Sequence, residues 1–176
     1  LHRLSREAPA LDFATRKSQL RTLRRVLVAN KEAFAAAIAH DFGTRSRRET
    51  LMSEVLPTLQ GIGDALWHLR SWMRPERVSV AAHFWPAGNR ILFQPKGVVL
   101  IVAPWNYPLQ LTFAPLIAAL AAGNRVVIKP SEFTPRFAEL LKNVLEQALG
   151  SDTVAVATGC ADVAAGLTAL PFDHIL

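Results

Sequence analysis

Gln94-Pro95-Lys96-Gly97-Val98-Val99-Leu100-Ile101-Val102-Ala103-Pro104-Trp105-Asn106-Tyr107-Pro108 and, a little further on, Gly123-Asn124-Arg125-Val126-Val127-Ile128-Lys129-Pro130-Ser131-Glu132 decide the fold. Each is a short apolar run of strand length that ends in a proline-marked turn carrying polar side chains. An unbroken apolar strand such as 98–103 is the kind buried on both faces, as in a parallel sheet covered by helices. In such sheets ligands bind at the carboxyl ends of the strands. Asn106, Lys129 and Glu132 lie just past two of these ends and read as exposed, so they are site candidates on position alone.

Working downstream, Pro108 suits the first position of a helix that passes Leu111, Pro115 and Leu120 and stops at Gly123-Asn124. A strand at 125–129 follows. Thr134 then reads as an N-cap with Pro135 at N1, opening a helix to about Leu149 and Gly150. A strand at 153–157, a helix at 161–170 and a last strand from Phe172 complete the alternation. This order, with short links, predicts an α/β fold with a doubly wound parallel sheet and right-handed crossovers.

Working upstream, residues 11–40 predict one long amphipathic helix with Leu20, Leu23, Leu27, Phe34 and Ile38 on its apolar face. Asp41-Phe42-Gly43 ends it, Gly43 serving as the residue after the cap. The same tripeptide occurs in kinases, but no glycine-rich loop or His-Arg-Asp accompanies it here. A second helix spans 47–73, with Pro57 as an expected kink and Pro75 as its stop. Residues 77–94 read as a β-hairpin arm around Pro86-Ala87-Gly88-Asn89. A lone two-stranded hairpin is marginal in water, so the arm should pair with other strands of the same protein or of a partner subunit.

The totals exclude several classes. Apolar residues make up 51% of the 176 and charged residues 19%, which are globular values. No apolar run approaches the roughly 20 residues of a membrane-spanning helix, and Leu1-His2-Arg3-Leu4 does not read as a secretory signal. The one cysteine, Cys160, excludes an internal disulfide framework and fits a reducing compartment, so the cytoplasm is the expected location. The net charge of +6 lies wholly within residues 1–50, which hold eleven Lys and Arg against five Asp and Glu. Arg21, Arg24 and Arg25 share a helix with an apolar face and have no aromatic interleaving. A solvated face is therefore favoured over a nucleic-acid patch. The histidines show no metal-ligand spacing, and no metal is expected.

No Gly-x-Gly-x-x-Gly follows the strand at 98–103, and no Walker lysine loop occurs in the chain. Ala103-Pro104-Trp105-Asn106-Tyr107-Pro108 stands there instead. This turn, joined to Gly123 through Pro135 with its Lys129-Pro130-Ser131-Glu132-x-Thr134-Pro135, resembles the NAD(P)-dependent aldehyde dehydrogenase superfamily. The resemblance extends to Asp41-Phe42-Gly43-x-Arg45-Ser46, Glu49-Thr50, Glu54, Trp72-Met73-x-Pro75 and Leu170-Pro171-Phe172-Asp173-His174. These flanks look most like the branch that includes coniferyl aldehyde dehydrogenase. The match covers nearly all of the chain but only about the first third of a typical family member.

The resemblance implies a division into an N-terminal helical segment of the cofactor domain (1–76), a β-hairpin oligomerisation arm (77–95) and the first part of a Rossmann-like NAD(P)-binding domain (96–176). It implies oxidation of an aldehyde to the acid by thiolate addition, hydride transfer to NAD or NADP, and hydrolysis of the thioester. Asn106 matches the side-chain amide of the oxyanion hole. Lys129 and Glu132 match the residues that hold the adenosine ribose hydroxyls, with Ser131 in the same cofactor-binding set. Val102, Ala103, Pro104 and Trp105 match the lining of the cofactor groove. A homodimer through the arm is expected. The nucleophile, the general base and the glycine turn near the pyrophosphate are expected beyond residue 176, so the 176 residues alone should be inactive.

Plainer readings stand beside these. An asparagine before an aromatic-proline pair is, taken alone, a turn residue. Lys129 and Glu132 could form an exposed ion pair of little energetic value, and Trp105 could be core packing. Cys160, in Thr158-Gly159-Cys160-Ala161-Asp162, opens a helix where the family does not keep its nucleophile, although a reactive thiol there stays open. For the whole chain, a non-catalytic dinucleotide-binding remnant and a relative that reduces acyl phosphates are the alternatives. The Trp105-Asn106 pair disfavours the second. NAD against NADP is open too: Glu132 should repel a 2′-phosphate, but a rotated side chain would admit one.

Overall fold

Asp12 and Gly43 set the length of the longest helix. Asp12 Oδ1 accepts the Thr15 N–H at 2.8 Å, and Gly43, with φ of 73°, donates its N–H back to Ala39 O. The computed structural model describes residues 1–7 and 10–176. A short helix α1 (His2–Glu7), which the sequence reading did not anticipate, precedes the long α2 (Phe13–Phe42). Leu20, Leu23, Leu27, Phe34 and Ile38 all lie fully buried along α2.

Pro57 does not kink a helix; the backbone changes type ahead of it. A proline ring presses on the carbonyl four residues back and leaves that carbonyl without its donor. Here α3 (Arg47–Thr50) runs into a π-helical turn (Leu51–Val55) and only then into α4 (Leu56–Trp72), with Pro57 in its first turn. The widened turn absorbs the misfit and carries Glu54 into the interior, where it has no solvent exposure.

The arm forms, with shorter strands than expected. β1 (Glu76–Val78) pairs antiparallel with β2 (Asn89–Ile91), Glu76 opposite Ile91, and residues 79–88 make a long loop between them. All six strand residues are exposed, as are Phe84, Trp85, Leu92 and Phe93. Among the described residues neither face of the ribbon is buried, so pairing stops after three residues.

The main sheet holds β3 (Val98–Val102), β4 (Arg125–Lys129), β5 (Val154–Val156) and β6 (His174–Ile175), all parallel, in the order β5-β4-β3-β6. α5 (Pro108–Ala121), α6 (Pro135–Leu149) and α7 (Ala161–Thr168) are the connections. The chain steps outward from β3 to β5, then crosses back to the far side of β3. The order therefore reverses between β3 and β6, where a doubly wound sheet opens its ligand crevice. α2 packs against α4, α5 and α6. Phe34 meets Phe113 edge-on at 6.0 Å and Phe137 at 5.8 Å, joining three helices over the sheet. Gly123, with φ of 87°, is required by the space as well as the dihedral, since a Cβ there would lie 2.6 Å from the Arg16 guanidinium.

The capping of α6 differs from the sequence reading. Thr134 has φ of −126° and ψ of 63°, away from the extended backbone of an N-cap, and its hydroxyl donates to Ser131 O instead. The carboxylate of Asp41, at the end of α2, takes over: Oδ1 accepts from Arg136 N at 3.2 Å and Oδ2 from Phe137 N at 2.9 Å. Asp41→Ala is expected to lower stability by about 1 kcal/mol, the usual worth of a helix cap. Chemical denaturation checks this, and an unchanged midpoint would assign the cap elsewhere. Among the described residues no helix is long and apolar enough to cross a membrane.

Candidate active site

The turn after β3 starts inside the sheet and ends outside it. Ala103 still donates its N–H to Lys129 O at 3.0 Å, and Val102 donates to Leu176 O at 2.9 Å. From Pro104 to Tyr107 the residues are exposed, and Pro108 is buried again as α5 begins. Trp105 is 52% exposed, its ring 6.1 Å from that of Phe42, so it leans on the surface and is not core. Asn106 is held by its backbone: its carbonyl accepts from Arg45 Nη2 at 2.8 Å, which leaves the carboxamide at the surface.

Two charged side chains carry this turn. Glu54 Oε2 accepts the N–H groups of Leu109 at 2.8 Å and Gln110 at 3.3 Å, the first free amides of α5. Its Oε1 accepts from Arg45 Nη1 at 3.2 Å. The Arg45 guanidinium lies 4.3 Å from the ring centre of Phe42 and 4.9 Å from that of Tyr107, with Glu49 3.4 Å from its Nε. Burial pushes the Glu54 carboxyl above the usual glutamate range, against the two backbone donors and Arg45, which pull it down. Arg45 and Glu54 lie within the stretches that carry the family resemblance, but the sequence alone assigns them no role. The signal was there: Glu54 falls three residues after Leu51 and next to Val55, a charge on the buried stripe.

The turn after β4 corrects one expectation. Lys129 is not exposed; it is 1% accessible, and its Nζ donates to Pro130 O at 2.7 Å and lies 3.5 Å from Glu132 Oε2. A buried lysine is tolerated because its ammonium has both contacts at the carboxyl end of β4, an interior strand of the sheet. Glu132 itself is exposed. Its carboxyl is held below the ordinary glutamate value by its own backbone N–H first and by Lys129 after it. Ser131 is nearly buried, and its Oγ accepts from Phe133 N at 3.2 Å, closing a small turn that fixes the backbone under Glu132.

The two turns are neighbours because Val102 pairs with Lys129 in the register of β3 and β4. Cys160 is exposed at the start of α7, after β5. β5 stands two strand spacings from β3, about 10 Å, so the sheet does not bring the thiol to Asn106. Among the described residues no group of three or more His, Cys, Asp or Glu side chains gathers as a metal site. A cavity of about 700 Å³ opens between α4 and α5, mostly apolar, with Thr58, Gly61, Ala65, Gln110, Ala114 and Ile117 in its wall. Its wall extends to Ala121 and Ala122 at the far end of α5, and no residue of the 104–107 turn lines it.

A doubly wound sheet, a reversal beside β3 and a glycine-free turn that presents an amide there define an α/β domain of the class that binds ligands at the carboxyl ends of its strands. Residues 3–171 match the model of the Aldehyde dehydrogenase family, and the chain belongs to that family. It is 45% identical over 168 residues to the probable coniferyl aldehyde dehydrogenase of Pseudomonas aeruginosa, covering 96% of this chain and 35% of that protein. It is 40% identical over 170 residues to the coniferyl aldehyde dehydrogenase of a Pseudomonas species, covering 97% and 35%. The substrate-bound structure of Staphylococcus aureus AldH superposes with a TM-score of 0.90 at 34% identity, over 93% of this chain and 36% of that one. The chain thus spans about a third of the length of the relatives it matches. The resemblance read from residues 103–108 and 123–135, and its leaning toward the coniferyl branch, are confirmed.

Proposed function

We propose that this chain supplies the cofactor-side half of an active site that oxidises an aldehyde to the carboxylic acid. The cofactor is NAD+ or NADP+, and the aldehyde is coniferyl or another aromatic or aliphatic aldehyde. The observation that carries this is the placement of the Asn106 turn beside the Lys129–Glu132 turn at adjacent strand ends. The residues present fit a dinucleotide. The Lys129 ammonium has three donors and uses two, on Pro130 O and Glu132, while Glu132 is a surface acceptor, so the pair holds the donor and acceptor a ribose diol needs. Val102, Ala103, Pro104 and Trp105 form the wall beside them, and Ser131 holds the turn. The bound nicotinamide supplies hydride acceptance. What this chain does is donate from the Asn106 carboxamide to the oxygen of the aldehyde as charge builds on it during thiolate attack. Cys160 is not placed for that attack. The attacking thiol and the base are assigned to sequence corresponding to the rest of the relatives.

The test is an assay of the gene product that carries this chain, with coniferyl aldehyde and each cofactor, following reduced cofactor and acid together. Reduction of an acyl phosphate without aldehyde oxidation, or cofactor binding without turnover, would replace the proposal by one of its two rivals. Lys129→Met, which keeps the buried stem and removes the donor, is expected to weaken NAD+ binding about tenfold or more, since a hydrogen bond from a charged group is worth ~1.5–3 kcal/mol. Fluorescence titration measures it, and unaltered affinity would return Lys129 to a packing role.

The arm carries a proposal of its own. Phe84, Trp85, Ile91, Leu92 and Phe93 are too large an apolar set to leave to water on a ribbon of two short strands. A homodimer through residues 77–94 is expected, in a reducing cytoplasm that suits the exposed Cys160. Sedimentation of the gene product should give a dimer and deletion of 79–88 a monomer; a monomeric parent would refute the arm's role.

A further inference from the structure

The turn that presents Asn106 is exposed from Pro104 to Tyr107, so something other than burial must aim the carboxamide. We propose that Arg45 and Glu54 are positioning residues for Asn106, fastening both ends of its turn so that the amide faces the reacting carbonyl. The proposal rests on the oxyanion reading of Asn106. Glu54 takes the downstream end: with one oxygen it accepts from Leu109 N and Gln110 N, and so fixes where α5 starts and which way it points. Arg45 takes Asn106 itself, through the backbone carbonyl at 2.8 Å. The same planar fork gives its other arm to Glu54 at 3.2 Å. One rigid guanidinium therefore sets the distance between the turn and the helix that follows.

Aromatic rings hold that guanidinium in its plane. Phe42 stands 4.3 Å from it and Tyr107, the residue after Asn106, 4.9 Å. A lysine keeps the charge but has neither the plane nor the two-armed reach. A buried ion pair is a weak source of stability compared with apolar packing of the same volume. Here it sits on a π-helical turn, a distortion found often at functional sites, which delivers Glu54 to α5. Geometry, not stability, is what this arrangement secures.

The test compares Arg45→Lys, Arg45→Ala, Asn106→Ala and their combinations in the gene product that carries this chain, with coniferyl aldehyde and NAD+. Arg45→Lys is expected to lower kcat by about ten- to a hundredfold, the scale of a misplacement of about 1 Å. KM for NAD+ should move little, and the melting transition should stay native. In the Asn106→Ala background the same change should cost almost nothing more, because no carboxamide remains to be aimed. Guanidinium ion added to Arg45→Ala should restore part of kcat, and none of it when Asn106 is also alanine. A full second loss in the double variant, or a rise in KM that matches the fall in kcat, overturns the positioning role and leaves the oxyanion reading standing. Full turnover by Asn106→Ala alone overturns both. Hydrogen exchange on the unaltered protein needs no variant to fold: the Leu109 amide should be as protected as the middle of α5, and exchange at the rate of a free peptide overturns the anchoring.

Discussion

Asn106→Ala should lower turnover by about 10²–10³, the usual cost of losing one oxyanion donor, and leave cofactor affinity nearly unchanged. The structure argues for both halves of that result. The carboxamide lies at the surface of the turn, and the contact that holds the residue is its main-chain carbonyl on Arg45. An alanine keeps that carbonyl, so the turn, the start of α5 and the neighbouring Lys129 should stay where they are. Stability should accordingly move by less than about 0.5 kcal/mol, as for an exposed side chain whose loss leaves the surrounding hydrogen bonds in place. What vanishes is a neutral donor that matters only when negative charge develops on the aldehyde oxygen, and such a loss falls on kcat and kcat/KM together. Asn106→Asp sharpens the point: a carboxylate at the same place repels the oxyanion and should be no faster than alanine. Equal losses in turnover and cofactor binding would instead make Asn106 a structural turn residue.

Phe34→Ala should cost about 3–5 kcal/mol, a large share of the roughly 5–15 kcal/mol that holds a domain folded. The ring has no solvent exposure and meets Phe113 of α5 and Phe137 of α6 from its place on α2. Removing it opens a hole where three helices converge, and the rings around it belong to different elements that cannot all close in at once. Urea denaturation should show a lower midpoint with an unchanged slope. Phe34→Leu, which refills much of the space, should cost markedly less. A loss below about 1 kcal/mol for the alanine variant, the average for any substitution, would show that the three helices do not depend on this contact. Activity should fall as well, since α2 also carries Asp41 and leads to Arg45.

The sheet was legible in the sequence because each of its parts is written locally. Unbroken apolar runs mark β3 and β4, and Pro108 and Pro135 mark the first turns of α5 and α6. The misread parts have partners that are far away in the chain. Thr134 looked like a cap because it precedes Pro135, but the cap is Asp41, some 95 residues earlier. Lys129 looked exposed as a charge that ends an apolar run; its ammonium finds Pro130 O one residue on and its stem stays inside. Pro57 announced a break, and no local rule chooses a π-turn over a kink. The strand-end turns of the proposed site, Asn106 and Lys129–Glu132, could be picked out from spacing and motif. Their supports could not, because Arg45 and Glu54 reach the Asn106 turn from about 55–60 residues upstream.

Gly43 and Thr44 are exposed and join α2 to the residues before α3, which is ordinarily where a chain tolerates an added or missing residue. Here that link acts as a ruler. Asp41 on one side of it is fastened to the helix after the Lys129–Glu132 turn, and Arg45 on the other side is fastened to Asn106. Changing its length by a single residue shifts one fastening against the other. The spacing between the proposed ribose clamp and the proposed oxyanion donor is therefore recorded in the length of a solvent-facing loop that is part of neither turn.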